Sequence, residues 1–451
     1  MRKISFILNE TLYILLVFPV LFLLVNKFPY LLIFSVLISV FIGILFFISK
    51  RSITSFHTEI LGILSIIYIY IIISYFFSGQ NLVNFFSYPF LRNDGNFFFC
   101  YILFFVFAIP FLDYKKLARL YFIFIFSIFT VFSLLGVVEY FLGKWSIMVW
   151  TDIYAGKIFF ALNFAHNATG SVYAIVCIFA LVFFLKEKIN KLKVLYFFIL
   201  FINLVALFIT KSRGSYLGFI IGAIFVIWLH YRSVKKFFKA LGIMVLISLP
   251  LIFLTGIYKR IFQIFDLKGA PTVIRFELWD RAWYLFSQSP LFGIGFGRFN
   301  DIFSIDRHVF NIERLKGYPG IFTYYANQSF YFDSAHIHNS YLQFLTETGI
   351  IGIGLLMLFW TLCLVKILKA YLDLEDEFTN KVYLSSAGSI ITLLALSLSE
   401  NYLSATTIMI PVSMLISLAI GLSWKESYGY YSISNLNILE KNNLIKADNG
   451  G

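Results

Sequence analysis

A succession of long apolar runs constrains this chain more than any other feature. A helix that crosses the hydrocarbon core of a bilayer needs about 20 apolar residues, and twelve segments of the sequence approach that length. They are centred on residues 12–25, 31–48, 60–77, 97–112, 120–142, 171–185, 194–209, 216–229, 240–257, 341–365, 382–398 and 406–424. Charged residues make up only 13% of the chain, whereas a soluble domain carries about a quarter. The sequence therefore predicts an all-α polytopic membrane protein with about twelve transmembrane helices.

The distribution of positive charge predicts how these helices are oriented. If the N-terminus is cytoplasmic, the cytoplasmic connections hold 21 lysines and arginines, and the short outer loops hold six. Lysine and arginine in short loops are concentrated on the cytoplasmic side, so both termini are expected in the cytoplasm. The same clustering explains the net charge of +13. We therefore expect the bilayer, and no nucleic acid, as the partner of this basic chain.

The predicted spans divide the chain into four parts. Residues 1–257 carry helices one to nine, residues 258–340 form a large periplasmic loop, residues 341–424 carry helices ten to twelve, and residues 425–451 form a cytoplasmic tail. The first apolar run is followed by another span and not by a soluble domain, so we expect an uncleaved first helix. The three cysteines stand singly in apolar runs, where a buried hydrophobic role is favoured over a disulfide or metal cluster.

The large loop contains a segment with helical periodicity, Thr272 to Gln288. Its aromatic residues recur at helical spacing, at Phe276, Trp279, Trp283 and Phe286, and Arg275, Leu278, Ala282 and Leu285 form a neighbouring strip. This pattern predicts an amphipathic helix at the outer membrane interface, with tryptophan at headgroup depth and charges turned to water. A cation held there, such as Arg275, is suited to a phosphate.

A glycine-rich run follows at residues 290–297, PLFGIGFG. The backbone amides of such a run can bind phosphate. No βαβ unit surrounds it, however, so we exclude a dinucleotide site and favour a tight turn.

Two histidines, His336 and His338, form an H-x-H motif at the outer mouth of the tenth predicted helix. Metal ligation is one interpretation, but no companion set of Cys, Asp and Glu stands at ligand spacing, so no metal or other cofactor is expected. A helix cap is another interpretation. A general base is favoured, because imidazole exchanges protons near neutral pH and can take one from a sugar hydroxyl.

Lys211 and Arg213 lie at the N-terminal end of the eighth predicted helix, on the same outer face as the loop. The helix dipole favours an anion at this position, although an arginine that only anchors the helix is an alternative. With Arg275 the site would be cationic at both ends, as stabilisation of a pyrophosphate leaving group requires. The outer face has no D-x-D cluster to hold Mg²⁺, which favours arginine in that role.

Several of these motifs, taken in order, resemble the O-antigen ligase and O-antigen polymerase family of membrane glycosyltransferases. They are KSRGSYLG at 211–218, Arg275 with Trp279 and Ala282, Pro290 with Gly293 and Gly295, HNSYLQ at 338–343, and ETG at 347–349. The resemblance is densest over residues 205–365. It implies a metal-independent inverting transferase of the GT-C fold class in the inner membrane. Such an enzyme moves a glycan from undecaprenyl diphosphate to an acceptor hydroxyl at the periplasmic face.

The resemblance also implies roles for individual residues. Arg213 and Arg275 match the arginines assigned to the donor diphosphate, and His338 matches the histidine proposed as the base for the acceptor hydroxyl. His336 is outside the shared pattern and is interpreted as a neighbour of His338. Four further positions are expected to bind substrate: Lys211, Asn339, Tyr341 and Gln343. His166-Asn167 stands where many relatives have an asparagine-containing turn.

The acceptor and two other protein classes remain open from the sequence. Lipid A core, the acceptor of a ligase, is favoured over the lipid-linked repeat used by a polymerase, and the short tail disfavours a protein-glycosylating branch. A lipid-linked glycan flippase would need charged residues near mid-membrane, but the spans are nearly free of charge. A shape, elongation and division family polymerase would need an outer aspartate, either Asp280 or Asp333.

Overall fold

A computed structural model describes residues 55–77, 100, 101, 104, 115–142, 166–254, 270–300, 336–373, 376–405 and 407–422. Within these ranges the chain forms α-helices and one short 3₁₀ helix, Arg298–Asn300, and no strand. The α-helices are α1 Ser55–Phe77, α2 Lys115–Leu142, α3 His166–Lys186, α4 Asn190–Ile209, α5 Arg213–Tyr231, α6 Val234–Leu254, α7 Ala270–Gln288, α8 Ser340–Asp373, α9 Glu377–Leu396 and α10 Thr407–Leu422.

Five of these helices, α2 to α5 and α8, are long and apolar enough to cross a membrane. Shorter apolar helical stretches lie at Glu59–Ser74 and Thr407–Leu422. For the described part of the chain, the prediction of an all-helical polytopic membrane protein is therefore confirmed. The first two predicted spans and most of the fourth lie outside the described residues, so the count of twelve and the GT-C class stay predictions.

Helix α3 lies at the centre of the bundle and packs against α4, α5 and α9. Every residue from Ala168 to Phe183 is buried, and α10 is buried along its whole length apart from its first residue. Large apolar side chains on the surrounding helices point outward, among them Ile123 on α2 and Leu246 on α6. A bundle that is apolar both inside and outside is what hydrocarbon surroundings require.

Helix α5 approaches α9 closely through glycines at every fourth position, Gly214, Gly218 and Gly222. A Cβ atom at Gly218 would lie 2.6 Å from Leu396 Cγ, and one at Gly222 would lie 3.1 Å from the Gly388 carbonyl oxygen. Small residues at this spacing allow two membrane helices to pack backbone against backbone. A Cβ atom at Gly214 would overlap Ser399 Oγ, so the start of α5 lies against the turn that follows α9.

Helix α8 is broken at Gly349, which has φ 67° and ψ −172°. The groups that the break leaves without helical partners are satisfied by residues 290–297, which we call the glycine clasp. The amides of Ile294 and Gly295 donate to the carbonyls of Thr346 and Glu347, both at 3.0 Å, and the Ile350 amide donates to the Pro290 carbonyl at 2.9 Å.

Positive φ angles at Gly293, Gly295 and Gly297 shape the clasp. The tight-turn interpretation of this run is therefore confirmed. The amides of Ile294 and Gly295 donate their hydrogen bonds to backbone carbonyls of α8.

Replacing Gly349 with alanine should destabilise the protein by about 1–3 kcal/mol or more. The backbone region that Gly349 occupies is nearly exclusive to glycine, and a Cβ atom would also lie 2.6 Å from the Phe292 amide nitrogen. Thermal unfolding in detergent measures the effect. Gly354→Ala is the matched control: this glycine lies in the same helix with open space around it, so alanine should be neutral or slightly stabilising. Equal melting temperatures for the two variants would contradict the assignment.

The predicted amphipathic helix is present as α7, and it packs against the start of α8. Leu278, Ala282 and Leu285 are buried with Phe299 and Ile337, while the aromatic strip is more exposed, most of all at its Trp283. Helix α7 is thus amphipathic with its aliphatic strip inward.

One expectation about α7 is wrong. Its charges were expected to face water, but Arg281 is only 5% exposed. The guanidinium carbon lies 5.6 Å from the centroid of the Phe299 ring. The cause is tertiary: the residues after the glycine clasp fold back over this face of α7, which the helical periodicity alone leaves open.

The two ends of the bundle carry different polar groups. At one end Lys186 donates to Asn380, and Lys381 bonds to both Glu187 and Glu377. Helices α3 and α9 run from this region in opposite directions along the chain, so His166 and Leu396 lie at the other end. The predicted site residues that the structure describes lie at that other end, away from the lysine-rich connections.

Candidate active site

Glu400, in the turn after α9, is the centre of a polar cluster at that end of the bundle. The residue is only 6% exposed. Its Oε1 atom accepts hydrogen bonds from Arg275 Nη2 and Asn167 Nδ2, each at 2.9 Å. Its Oε2 atom lies 2.7 Å from His338 Nδ1 and 4.0 Å from His336 Nε2. One carboxylate therefore joins residues from three other segments of the chain.

The surroundings of Glu400 favour its ionised form. Burial raises the pKa of this carboxyl group, but the hydrogen bond from His338 and the positive charge of Arg275 together hold the pKa below its usual value. The group is therefore a carboxylate at neutral pH and can act only as a hydrogen-bond acceptor. Each neighbour that bonds to it must present a proton.

That requirement sets the tautomer of His338. Because the carboxylate lies at Nδ1, the proton sits on Nδ1, and Nε2 is the ring nitrogen that can accept a proton in the neutral form. The His338 side chain is 31% exposed, so a substrate can reach it. An imidazole held by a carboxylate in this way has the arrangement of the general base in a serine protease triad.

The backbone at His338 is held in an uncommon conformation, with φ 54°. Contacts on its C-terminal side hold it there. The Ser340 amide donates to the Ser397 carbonyl at 2.9 Å, and the Ser340 hydroxyl donates to the Glu400 carbonyl at 3.0 Å. Non-glycine residues in this region cost about 1–3 kcal/mol and concentrate at functional sites.

His336 packs directly against His338, with ring centroids 4.2 Å apart. Its Nδ1 atom accepts a hydrogen bond from the His338 amide at 3.3 Å. Burial, followed by the positive surroundings, lowers the pKa of His336 to about 4, so it is neutral near pH 7. The H-x-H spacing thus places the neutral ring of His336 directly against the ring of His338.

Arg213 is the first residue of α5, and Gly214 beside it lies close to Ser399, the residue before Glu400. The Ser215 hydroxyl lies 2.7 Å from Ser212 Oγ and 3.1 Å from Ser171 Oγ, which ties this helix start to α3. The backbone of Arg213 is therefore close to the Glu400 turn. Lys211 lies in the preceding turn with φ 54°.

A comparison with protein families finds a match in the middle of the chain. Residues 197–357 match the family model described as O-antigen ligase. This segment of the chain is assigned to the O-antigen ligase family. The match covers nearly the same segment as the sequence resemblance at 205–365. A search of curated proteins found no match.

The O-antigen ligase match includes Arg213, Arg275 and His338, whereas Asn167 and Glu400 lie outside it. The structure brings Arg275 and His338 onto one carboxylate and sets the start of α5 beside them. The roles assigned to these residues stay predictions.

The other predicted substrate-binding residues of the O-antigen ligase segment make structural contacts. Asn339 Oδ1 accepts from the Leu342 amide at 3.0 Å and so caps α8, and the Tyr341 hydroxyl donates to the Leu394 carbonyl at 2.6 Å. Gln343 is 3% exposed. Asp280 is exposed on α7, and Asp333 lies outside the described residues. Substrate binding by Asn339, Tyr341 and Gln343 stays a prediction.

Sequence reasoning missed Glu400 altogether. A signal was present: it is a lone acid directly after an apolar span, in LSLSENYLS at 396–404, and ionisable residues at such positions tend to be functional. Glu400 is also the companion ligand that the H-x-H motif lacked, because ligand atoms of His336, His338 and Glu400 lie within 4.8 Å of one another. A cation there would face Arg275 on the same carboxylate, so we keep the prediction of no metal.

Proposed function

We propose that this protein is a metal-independent inverting glycosyltransferase that moves an O-antigen-like polysaccharide from undecaprenyl diphosphate to a hydroxyl of lipid A core. The reaction would take place at the periplasmic face of the inner membrane. One observation carries the proposal: the 2.7 Å contact between His338 Nδ1 and Glu400 Oε2, which leaves Nε2 as the acceptor nitrogen of a partly exposed imidazole.

In this proposal His338 Nε2 takes the proton of the acceptor hydroxyl as its oxygen attacks the anomeric carbon of the donor. The bond between that carbon and the diphosphate oxygen breaks, and undecaprenyl diphosphate leaves with the electron pair. Attack opposite to the leaving group inverts the anomeric centre. General base catalysis of this kind contributes about 10²–10⁴-fold to a rate.

The leaving diphosphate needs positive charge, which Arg275 and Arg213 would supply. Arginine presents five donors in a planar fork that matches phosphate oxygens. Arg275 uses Nη2 on Glu400 and has other donors for a ligand. Arg213 is the first residue of α5, and the dipole at the N-terminal end of that helix also favours an anion.

The choice of lipid A core as acceptor is supported by the family description, O-antigen ligase. Deleting the gene tests it. A ligase predicts unmodified core with accumulated lipid-linked polymer. Single repeats on the core would indicate a polymerase instead, and unchanged surface glycan would remove both activities. The protein's own activity is tested with purified enzyme, a lipid-linked glycan and purified lipid A core.

Replacing Arg213 with lysine should lower transfer about 10-fold or more, because lysine keeps the charge but loses the fork geometry that grips two phosphate oxygens. The rate of transfer from a purified undecaprenyl-diphosphate glycan measures this. Arg232→Lys, at the opposite end of the same helix, is the matched control and should transfer at the wild-type rate. If Arg213→Lys also does so, Arg213 only anchors α5.

A further inference from the structure

We infer that Glu400 is a positioning residue for the proposed transfer: its carboxylate sets the tautomer of His338 with one oxygen and holds Arg275 with the other. The inference rests on the proposed function and adds a residue outside the matched segment. Glu400 touches neither the donor nor the acceptor in this scheme. It acts through the base and through the arginine that would bind the diphosphate.

The two oxygens of Glu400 face two different sets of side chains. Oε1 faces Arg275 and Asn167, and Oε2 faces His338 and His336. Among the described residues, three side chains bond to the carboxylate, from the start of α3, from α7 and from the segment before α8, and His336 lies 4.0 Å away. A carboxylate is the side chain suited to this position, because Arg275, Asn167 and His338 all donate to it.

The carboxylate is also held firmly enough to orient its partners. The Ser340 hydroxyl donates to the Glu400 backbone carbonyl at 3.0 Å and accepts from the Leu403 amide at 3.2 Å. Asn167, which bonds to Oε1, accepts at its own carbonyl from the Ser171 hydroxyl at 2.9 Å. Fixed partners of this kind are what keep a catalytic group in its productive geometry.

Arg275 links the two halves of the proposed reaction. Its side chain is 30% exposed while its Nη2 atom bonds to a carboxylate whose side chain is 8% exposed. A diphosphate that approaches from solvent can bind the outer donors without breaking the inner bond. The leaving group on Arg275 and the base His338 would then be spaced by the two oxygens of Glu400 that hold these side chains.

The test is Glu400→Gln, which keeps the size and removes the charge. An amide can donate toward His338 Nδ1, which favours the tautomer with the proton on Nε2 and leaves no base facing the acceptor. The comparable change in a serine protease triad lowers kcat by about 10⁴-fold. We expect kcat to fall about 10²–10⁴-fold with a smaller change in the KM for the lipid-linked donor, and the acid-side fall of the pH profile to move to lower pH.

Two further variants keep the result interpretable. Glu377→Gln is the control, because Glu377 is about half exposed at the other end of the bundle, and it should transfer at the wild-type rate. Glu400→Asp keeps the charge but is shorter and cannot reach both sets of donors, so kcat should fall here as well. If Glu400→Gln is unfolded, as judged by thermal unfolding in detergent, Glu400→Asp tests the inference in its place.

The outcomes separate this inference from the proposed function. If wild-type protein transfers glycan, His338→Ala does not, and folded Glu400→Gln or Glu400→Asp keeps the wild-type kcat and pH profile, Glu400 is structural and the inference is wrong. If the wild-type protein fails to transfer, or if His338→Ala transfers normally, the proposed function itself is wrong. A loss that appears only in KM would place Glu400 with donor binding alone and would overturn its role toward His338.

Discussion

Replacing His338 with alanine should lower glycan transfer by about 10²–10⁴-fold, the contribution of a positioned general base. The reason is the proton on the acceptor hydroxyl: the variant lacks the Nε2 atom that is placed to take it, and Glu400 is buried and engaged by Arg275 and Asn167. Transfer from a purified undecaprenyl-diphosphate glycan, followed by gel mobility of the acceptor, measures the effect.

The control for this variant is His230→Ala. His230 lies in the last turn of α5, at the opposite end of the bundle, and its ring packs on Tyr231 with centroids 4.5 Å apart. It should leave the rate unchanged. Thermal unfolding should show that His338→Ala is folded. Full transfer by folded His338→Ala would remove His338 from catalysis.

Replacing Lys381 with methionine should destabilise the protein by about 3–5 kcal/mol, the cost of removing one partner from a buried ion pair. The side chains of Lys381 and Glu187 are each 6% exposed and 2.8 Å apart. Burial raises the pKa of Glu187, but the hydrogen bonds from Lys381 and from the Ile189 amide hold the pKa below its usual value. Methionine would leave this carboxylate buried without its ammonium partner. The melting temperature in detergent measures the loss.

The matched control is Lys191→Met, because Lys191 is an exposed lysine in the first turn of α4 at the same end of the bundle. Its replacement should change stability by less than about 0.5 kcal/mol. The double variant Lys381→Met with Glu187→Gln should recover part of the loss, because no charge then stays buried without a partner. Equal melting temperatures for Lys381→Met and Lys191→Met would show that the pair does not stabilise the bundle.

The helical parts of the fold follow from local pattern. The span predicted at 216–229 lies within α5, and the segment predicted to be helical at 272–288 matches α7 Ala270–Gln288. Apolar runs of this length have one stable form in a bilayer, since an unpaired backbone group in hydrocarbon costs several kcal/mol. The helical periodicity did not predict the burial of Arg281, because that burial depends on residues that fold over α7 from elsewhere in the chain.

Half of the candidate site also followed from sequence. Arg275 and His338 were singled out by residue type and position, and the structure places both on Glu400. The carboxylate itself was missed because its partners are remote in sequence: it lies 62 positions from His338, 125 from Arg275 and 233 from Asn167. Neither periodicity nor spacing within one segment can report a contact of that kind.

The sequence by itself determined that this protein is helical and lies in a membrane, because the length and polarity of each apolar run are matched to the bilayer and do not depend on the rest of the chain. Only the tertiary structure decided that α3, α7 and the segment before α8 bring polar residues to one buried carboxylate in the turn after α9. The physical reason is that burying a charge is tolerated only where several donors meet it, and that meeting depends on how the helices pack.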